Sequence, residues 1–130
     1  MTVEVTVRDE TTAGDVLQEL ALQLEAEQVT VRELIISRVA SEVRAYNAGQ
    51  VLGGFRGLVQ PPEAELALNG PREPRMVDAE IQAKVAVEAF ERGRFLLLVD
   101  DRQVTEFDER VVLRTGSAVS FLKLTPLVGG

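Results

Sequence analysis

Alternating hydrophobic and polar residues near the start of the chain predict a β-hairpin. Residues 2–8 and residues 19–25 both alternate residue by residue, which is typical of a strand that buries one of its two faces. The stretch between them includes residues 11–15, whose Gly and Asp favour a turn. The residues predicted to face the core from this hairpin are Val3, Val5, Val7, Leu20, Leu22 and Leu24.

A capping box marks the start of the main helix. Thr30 precedes Glu33 by three residues, so each side chain can bind the backbone N–H of the other residue. Val29 and Leu34 occupy the positions of a hydrophobic staple, and Gly49 is a suitable stop signal. We expect this helix to begin at Val31 and to pack on the hairpin through an apolar stripe of Val31, Leu34, Ile35, Val39, Val43 and Tyr46.

The middle of the sequence changes character. Residues 49–75 are rich in Gly and Pro, so we expect little regular structure there. Asp78 can cap a second helix that runs to about Arg92, with Gly93 as its terminator. The predicted apolar stripe of this helix, which we assign to the core, is Val77, Ile81, Val85 and Ala89, widened by Phe90.

Strands are predicted again towards the end of the sequence. Residues 95–99 are continuously apolar, as in a strand buried on both faces, and the aspartates at 100–101 predict a turn. Val104 resumes an extended segment, whereas residues 106–114 give no clear pattern. Residues 118–124 alternate, with Val119, Phe121 and Lys123 on one face and Leu122 and Leu124 on the other. This order predicts an α+β domain with a helix packed on one face of a sheet.

Composition narrows the classes of function. The chain has 130 residues, which fits a single domain over residues 1–130, and its net charge of −7 argues against binding to nucleic acid. It has no Cys and no His, which excludes disulfides, thiolate metal sites and most hydrolase triads. The start of the sequence shows no signal-peptide pattern and no apolar run is long enough for a membrane span, so we expect a cytoplasmic protein with no membrane partner.

Three local features could suggest a ligand, and each has a simpler interpretation. The Gly-rich residues 49–57 lack the Lys-Ser/Thr that follows a phosphate-binding loop, so we interpret them as a plain loop. The acidic pairs at 9–10 and 100–101 lack the spacing of a calcium loop, so we interpret them as solvated turn carboxylates. We therefore predict no metal site, no cofactor and no catalytic residue.

Four stretches of the sequence carry a resemblance to a known family. The order of elements resembles the ubiquitin-like β-grasp family, and most closely its sulfur-carrier branch that serves thiamine and molybdopterin synthesis. The stretches are residues 29–35 at the entry to the main helix, 99–104 at a hairpin, 113–119 before the last strand, and the ending Pro126-Leu127-Val128-Gly129-Gly130. The likeness covers residues 2–47 and 94–130. It implies a mixed sheet of four to five strands packed on one main helix, with an insertion at about residues 48–93 and a flexible tail at 126–130.

The resemblance also implies which group reacts. In this family a cognate activating enzyme adenylates the C-terminal carboxylate, here that of Gly130, and the tail is substrate and not catalyst. Gly129 and Gly130 suit a tail that lies extended in a narrow channel, because glycine has no Cβ to collide there. Pro126, Leu127 and Val128 would contribute to recognition of the tail. All nucleophiles would come from partner proteins, which agrees with a chain that lacks Cys and His.

Three functions stay open at this stage, and in none is the chain an enzyme. The first is a bacterial-type modifier of target-protein amines, served by an activating enzyme, a conjugating enzyme and a deconjugating protease. The second is a sulfur carrier whose thiocarboxylate feeds cofactor or thionucleoside synthesis. The third is a non-catalytic interaction module whose glycines are inert. For a modifier, self-linked chains would have few acceptors besides the N-terminus, because Lys84 and Lys123 are the only lysines.

Overall fold

The computed structural model describes residues 2–48, 58 and 78–124, and these residues form seven strands and two helices. The strands are β1 (Val3–Thr11), β2 (Val16–Leu24), β3 (Gln28–Thr30), β4 (Phe95–Val99), β5 (Arg102–Val104), β6 (Arg110–Val112) and β7 (Ala118–Lys123), and the helices are α1 (Val31–Asn47) and α2 (Ala79–Glu91). None of the helices in the described ranges is both long and apolar enough to cross a membrane.

The larger of two sheets has five strands in the order β2-β1-β7-β4-β5. Strands β1 and β7 run parallel to each other, and the other neighbouring pairs run antiparallel, so the sheet is mixed. Strands β3 and β6 form the second sheet. The architecture is therefore α+β, as predicted, and a mixed sheet with α1 packed on one face is compatible with a β-grasp fold.

The N-terminal hairpin and α1 follow the predicted pattern. Val3, Val5 and Val7 are buried, and so are Leu22 and Leu24, while Leu20 packs partly against the same core. The capping box is present, with the Glu33 amide donating to Thr30 Oγ1 at 3.1 Å and the Thr30 amide donating to Glu33 Oε1 at 3.4 Å. The predicted stripe of α1 is buried, apart from Tyr46, which is half-buried. The buried face of the helix also contains Arg38, which was not predicted. Gly49 lies outside the described residues.

The second helix forms where predicted, and its buried face was predicted correctly at Ala89 and Phe90 but wrongly at Ile81. Asp78 Oδ1 accepts hydrogen bonds from the amides of Glu80 and Ile81 at 2.9 and 3.2 Å. Ile81, however, is 52% exposed, Val85 is only half-buried, and Val77 lies outside the described residues. The buried residues are Gln82, Ala86, Ala89 and Phe90. The ring of Phe90 lies 5.7 Å from that of Phe95 and 5.3 Å from that of Phe107, and these aromatic contacts set the rotation of the helix.

The C-terminal strands depart from prediction in two places. Strand β4 buries Phe95, Leu97 and Val99, but its other face is half-buried, so the expectation of burial on both faces was wrong. The unassigned residues 106–114 contain β6, which pairs with β3. Between β4 and β5, the turn at 100–101 is a two-residue hairpin loop in which both aspartates have positive φ, 48° and 68°.

Two oppositely charged residues lie completely buried between the sheet and α1. Arg38 Nη2 donates to Asp9 Oδ2 at 2.6 Å, and its Nη1 donates to Oδ1, so the pair is bidentate. Arg38 Nε also donates to Glu42 Oε1 at 2.8 Å, and Gln18 Nε2 donates to Asp9 Oδ2 at 2.7 Å. These four residues, which we call the buried ion-pair network, join β1, β2 and α1.

The buried ion-pair network also contacts β7 and the middle of the chain. The guanidinium of Arg38 lies 4.4 Å from the centre of the Phe121 ring, and Lys123 Nζ lies 3.7 Å from Asp9 Oδ2. The amide of Leu58, which is almost fully buried, donates to Glu42 Oε1 at 3.2 Å. One cluster of charges thus connects β1, β2 and the central strand β7 to α1.

Both partners of the buried pair stay charged. Burial alone raises the pKa of the Asp9 carboxyl, but the hydrogen bonds and charge of Arg38 outweigh it and hold that pKa below its ordinary value. Burial alone lowers the pKa of Arg38, and Asp9 and Glu42 more than compensate, so that its pKa is raised. The carboxylate and the guanidinium therefore stabilise each other in their ionised forms.

We expect Arg38→Met to destabilise the fold by about 3–5 kcal/mol, because it leaves the Asp9 carboxylate buried without the guanidinium that binds both of its oxygens. The measurement is urea unfolding followed by circular dichroism. The double variant Asp9→Leu/Arg38→Met is the control and should recover much of that loss, since it removes both charges. A single variant within about 1 kcal/mol of the wild type would contradict this prediction.

The ion pair also predicts how stability depends on pH. The Asp9 carboxyl has a lower pKa folded than unfolded, so its stabilisation is fully present above the unfolded pKa and is lost as the pH falls through the folded pKa. Urea midpoints should therefore drop below about pH 4, and more steeply in the wild type than in Asp9→Leu/Arg38→Met. Equal slopes for the two proteins would contradict the assignment of this effect to Asp9.

Candidate functional site

The residues predicted to react or to be recognised lie outside the described part of the chain. They are Pro126, Leu127, Val128, Gly129 and Gly130. The described residues end at Leu124, so the structure instead defines the surface from which these residues continue.

Strand β7 carries the chain to this point through the middle of the sheet. Its last residue, Lys123, pairs with Thr11 of the parallel strand β1 and with Phe95 of the antiparallel strand β4. The amide of the next residue, Leu124, still donates to the carbonyl of Arg94 at 3.2 Å. The backbone is therefore paired on both sides of β7 as far as Lys123, and Leu124 keeps a hydrogen bond on the side of β4.

Leucine side chains from β4 and β7 meet on the face of the sheet opposite α1. Leu122 pairs directly with Leu96, and Leu98 pairs with Ser120 in the next row on that face. Because Phe121 and Leu97 between these rows point into the core, the leucines point the other way. Leu96, Leu98 and Leu122 are half-buried, and Leu124, two residues after Leu122, is 43% exposed. We call Leu96, Leu98, Leu122 and Leu124 the open-face patch.

Polar and charged residues border the open-face patch on the side of β1 and β2. Glu10 pairs with Leu122 on one side and with Val16 on the other, and Val16 is itself 52% exposed. In the next row, Arg8 Nε lies 2.8 Å from Glu19 Oε2 in a surface ion pair. An apolar patch with a charged border is typical of a surface that binds another protein.

The carboxylates considered as cation ligands have other roles in the fold. Asp9 belongs to the buried ion-pair network, and Asp100 Oδ1 accepts a hydrogen bond from the Ala118 amide at 2.9 Å in the hairpin turn. Among the residues that the structure describes, no group of three or more His, Cys, Asp or Glu could hold a metal ion. The interpretation as a solvated turn carboxylate is therefore wrong for Asp9, which lies fully buried in β1, whereas Asp100 is exposed and lies in the predicted turn.

Two open clefts lie elsewhere on the described surface. The larger, of about 600 Å³, lies between β2 and α1, and its wall includes Ser37, Ser41 and Arg44. The smaller, of about 400 Å³, lies beside Arg102 and Arg110. The wall of the larger cleft also includes the carboxylates of Glu4, Glu25 and Glu33.

Comparisons of this chain with protein-family models, with curated proteins and with solved structures found no significant match.

Sequence reasoning missed the open-face patch as a site, although the signal was present. The alternation in residues 118–124 placed Leu122 and Leu124 on the face opposite Val119 and Phe121, and nothing was proposed to cover either face. Residues 95–99 hide the same alternation, because leucines occupy both faces of β4. The register of β4 against β7 is what brings these leucines together, and the sequence pattern does not give that register.

We expect Leu98→Ala to cost less than about 1 kcal/mol of stability, because Leu98 belongs to the open-face patch and not to the core. The matched control is Leu97→Ala, the preceding residue, which is fully buried and should cost about 2–5 kcal/mol. Urea unfolding of both variants measures the difference. Equal losses for Leu97 and Leu98 would show that the leucines of β4 pack alike on both faces.

Proposed function

We propose that this chain is a ubiquitin-like protein modifier whose Gly130 carboxylate is adenylated by a separate activating enzyme and transferred to amines of target proteins. The observation that supports this best is the position of β7. It is the central strand of a mixed sheet, and it ends beside the open-face patch, from which residues 125–130 continue. A partner that docks on the patch can therefore reach the tail as well.

In the proposed reaction the chain supplies only its C-terminal carboxylate. In the activating step, a Gly130 carboxylate oxygen attacks the α-phosphorus of ATP, pyrophosphate leaves, and an acyl-adenylate forms. A thiolate or an amine then attacks the acyl carbon and AMP leaves. The chain has no Cys or His to supply a thiolate or an imidazole base, and this agrees with a role as substrate of these steps.

The buried ion-pair network holds β7 in place from the α1 side of the sheet. Phe121 lies against the Arg38 guanidinium, and Lys123 lies near Asp9, so alternate side chains of β7 are fixed to the core. Leu122, between them, faces the open side. The strand that precedes the tail is thus held rigidly on one face and presents apolar side chains on the other, as a docking partner needs.

The open-face patch also suggests why the tail lacks charge. Leu124, Leu127 and Val128 extend the apolar character of the patch along the sequence, and residues 124–130 contain no ionisable side chain. Recognition of this tail by an enzyme would therefore depend on burial of apolar area, at about 25 cal/mol per Å². Its specificity would come from the shape of the patch and from its charged border.

We expect the full chain to support ATP–pyrophosphate exchange when it is mixed with one of the adenylating enzymes of its own source. Deletion of Gly129 and Gly130 should abolish exchange, and Leu122→Glu should lower its rate at least tenfold, because it places a charge in the docking surface. The matched control is Gln23→Glu on the far strand β2, where the side chain is exposed, and it should exchange like the wild type.

Intact mass then separates the possible functions. An isopeptide adduct on a target protein supports the modifier, whereas replacement of one oxygen by sulfur supports the sulfur carrier instead. If no adenylating enzyme of the source uses the chain, or if the variant without Gly129 and Gly130 keeps full function, the proposal is wrong. The latter result would favour an interaction module that acts through the open-face patch alone.

A further inference from the structure

We propose that Lys84 is the lysine to which a second copy of this chain is joined when the modifier links to itself through a side chain, an inference that rests on the proposed function. The sequence offers two lysines, Lys84 and Lys123, as side-chain amines. Lys123 is largely buried beside Asp9, whereas Lys84 is exposed, and this difference in exposure favours Lys84 as the acceptor.

Lys123 is held against the core. It lies at the end of β7, paired with Thr11 and Phe95, and its side chain is 21% exposed. Its Nζ lies 3.7 Å from Oδ2 of Asp9, which is fully buried and bound to Arg38. To attack an acyl carbon, this amine would have to leave Asp9 and turn outward from the sheet. Self-linkage at Lys123 would therefore disturb the buried ion-pair network.

Lys84 is exposed on the outer side of α2. The buried side of this helix is formed by Gln82, Ala86, Ala89 and Phe90, which leaves the side chain of Lys84 in solvent. In the described ranges, no carboxylate is found in an ion pair with Lys84. Asp78 caps the start of the helix, so the amine stands on a fixed element.

The neighbours of Lys84 suit an acceptor site. Ile81, one turn earlier, is 52% exposed and offers an apolar contact beside the amine. Glu80 and Glu88 lie four residues before and after Lys84, which places them along the same side of the helix. An approaching partner would therefore meet an apolar residue and an amine between two carboxylates.

The layers of the fold keep this site apart from the open-face patch. Helix α2 lies on the same side of the sheet as α1, because Phe90 packs on Phe95, whose side chain points into the core. The open-face patch lies on the other side of the sheet. A copy joined at Lys84 would thus leave the patch of the acceptor copy uncovered, and further copies could be added.

The linking step balances without any further reactant. The Lys84 Nζ, as a free amine, attacks the carbonyl carbon of Gly130 held as an acyl-adenylate or as a thioester of a partner protein. A C–N bond forms, and the C–O bond to AMP or the C–S bond breaks. AMP or the thiol leaves with the bonding electrons, and the nitrogen loses its proton to water. ATP is spent only in the earlier activation of Gly130.

A test that bypasses the activating enzyme separates this inference from the proposed function. The full chain is prepared with Gly130 as a mercaptoethanesulfonate thioester and with its N-terminal amine acetylated, and it is incubated at pH 8 with an acetylated copy that ends in a free carboxylate. A small lysine amide in a parallel sample shows that the thioester is reactive. Linked dimers are digested, and the isopeptides are quantified by tandem mass spectrometry.

We expect the Gly130–Lys84 isopeptide to exceed the Gly130–Lys123 isopeptide at least tenfold. Lys84→Arg in both the thioester copy and the acceptor should remove nearly all linked dimer, and the matched control Lys123→Arg in both copies, which keeps a positive charge beside Asp9, should leave it unchanged. Equal or greater linkage at Lys123, or no linkage at Lys84 while the lysine amide reacts, would overturn the inference. Failure of the proposed function would appear separately, as absence of pyrophosphate exchange.

Discussion

The contact between Asp9 and Arg38 joins the two layers of the fold. Each charge would be costly to bury alone, and each is accepted here because its hydrogen-bonding groups are used: the carboxylate by Arg38 and Gln18, and the guanidinium by Asp9 and Glu42. A shift of β1 by one residue would turn Asp9 to the open side of the sheet and leave Arg38 without its bidentate partner, with Glu42 alone to pair with it. The pair therefore permits one alignment of α1 on the sheet, whereas the aliphatic core around it would tolerate several.

That alignment also determines which side chains each face of the sheet presents. The inner face carries the core and the charges that anchor β7, and the outer face carries the open-face patch and its charged border. Because β7 is central and has a partner strand on each side, it cannot move without breaking hydrogen bonds to both β1 and β4. A chain whose proposed role is to offer its tail to a partner benefits from such a fixed departure point, since less freedom is lost on binding.

Local signals predicted the elements that carry strong periodicity or a known cap. The hairpin, the capping box of Thr30 and Glu33, and the Asp78 cap all form as expected, because each depends on neighbours in sequence. The misses share a different cause. Strands β3 and β6 are too short to show a period, and the rotation of α2 is set by Phe95 and Phe107, which follow it in sequence. Arg38 was missed because an arginine inside an apolar stripe is ordinarily solvent-exposed, and its partner lies 29 residues away. The Gly129–Gly130 tail was proposed from resemblance, and it stays a prediction.

The parallel pairing of β1 with β7 has a consequence for how the protein is made. The two strands are the first and the last in the described chain, yet they are neighbours at the middle of the sheet. A ribosome must therefore translate past residue 123 before the sheet can close, and until then the valines of β1 lack their neighbour on that side. A polypeptide truncated before residue 118 would lack β7, so β1 and β4 could not be joined in one sheet. Only a chain synthesised as far as β7 and folded can therefore display Leu124 beside the completed sheet.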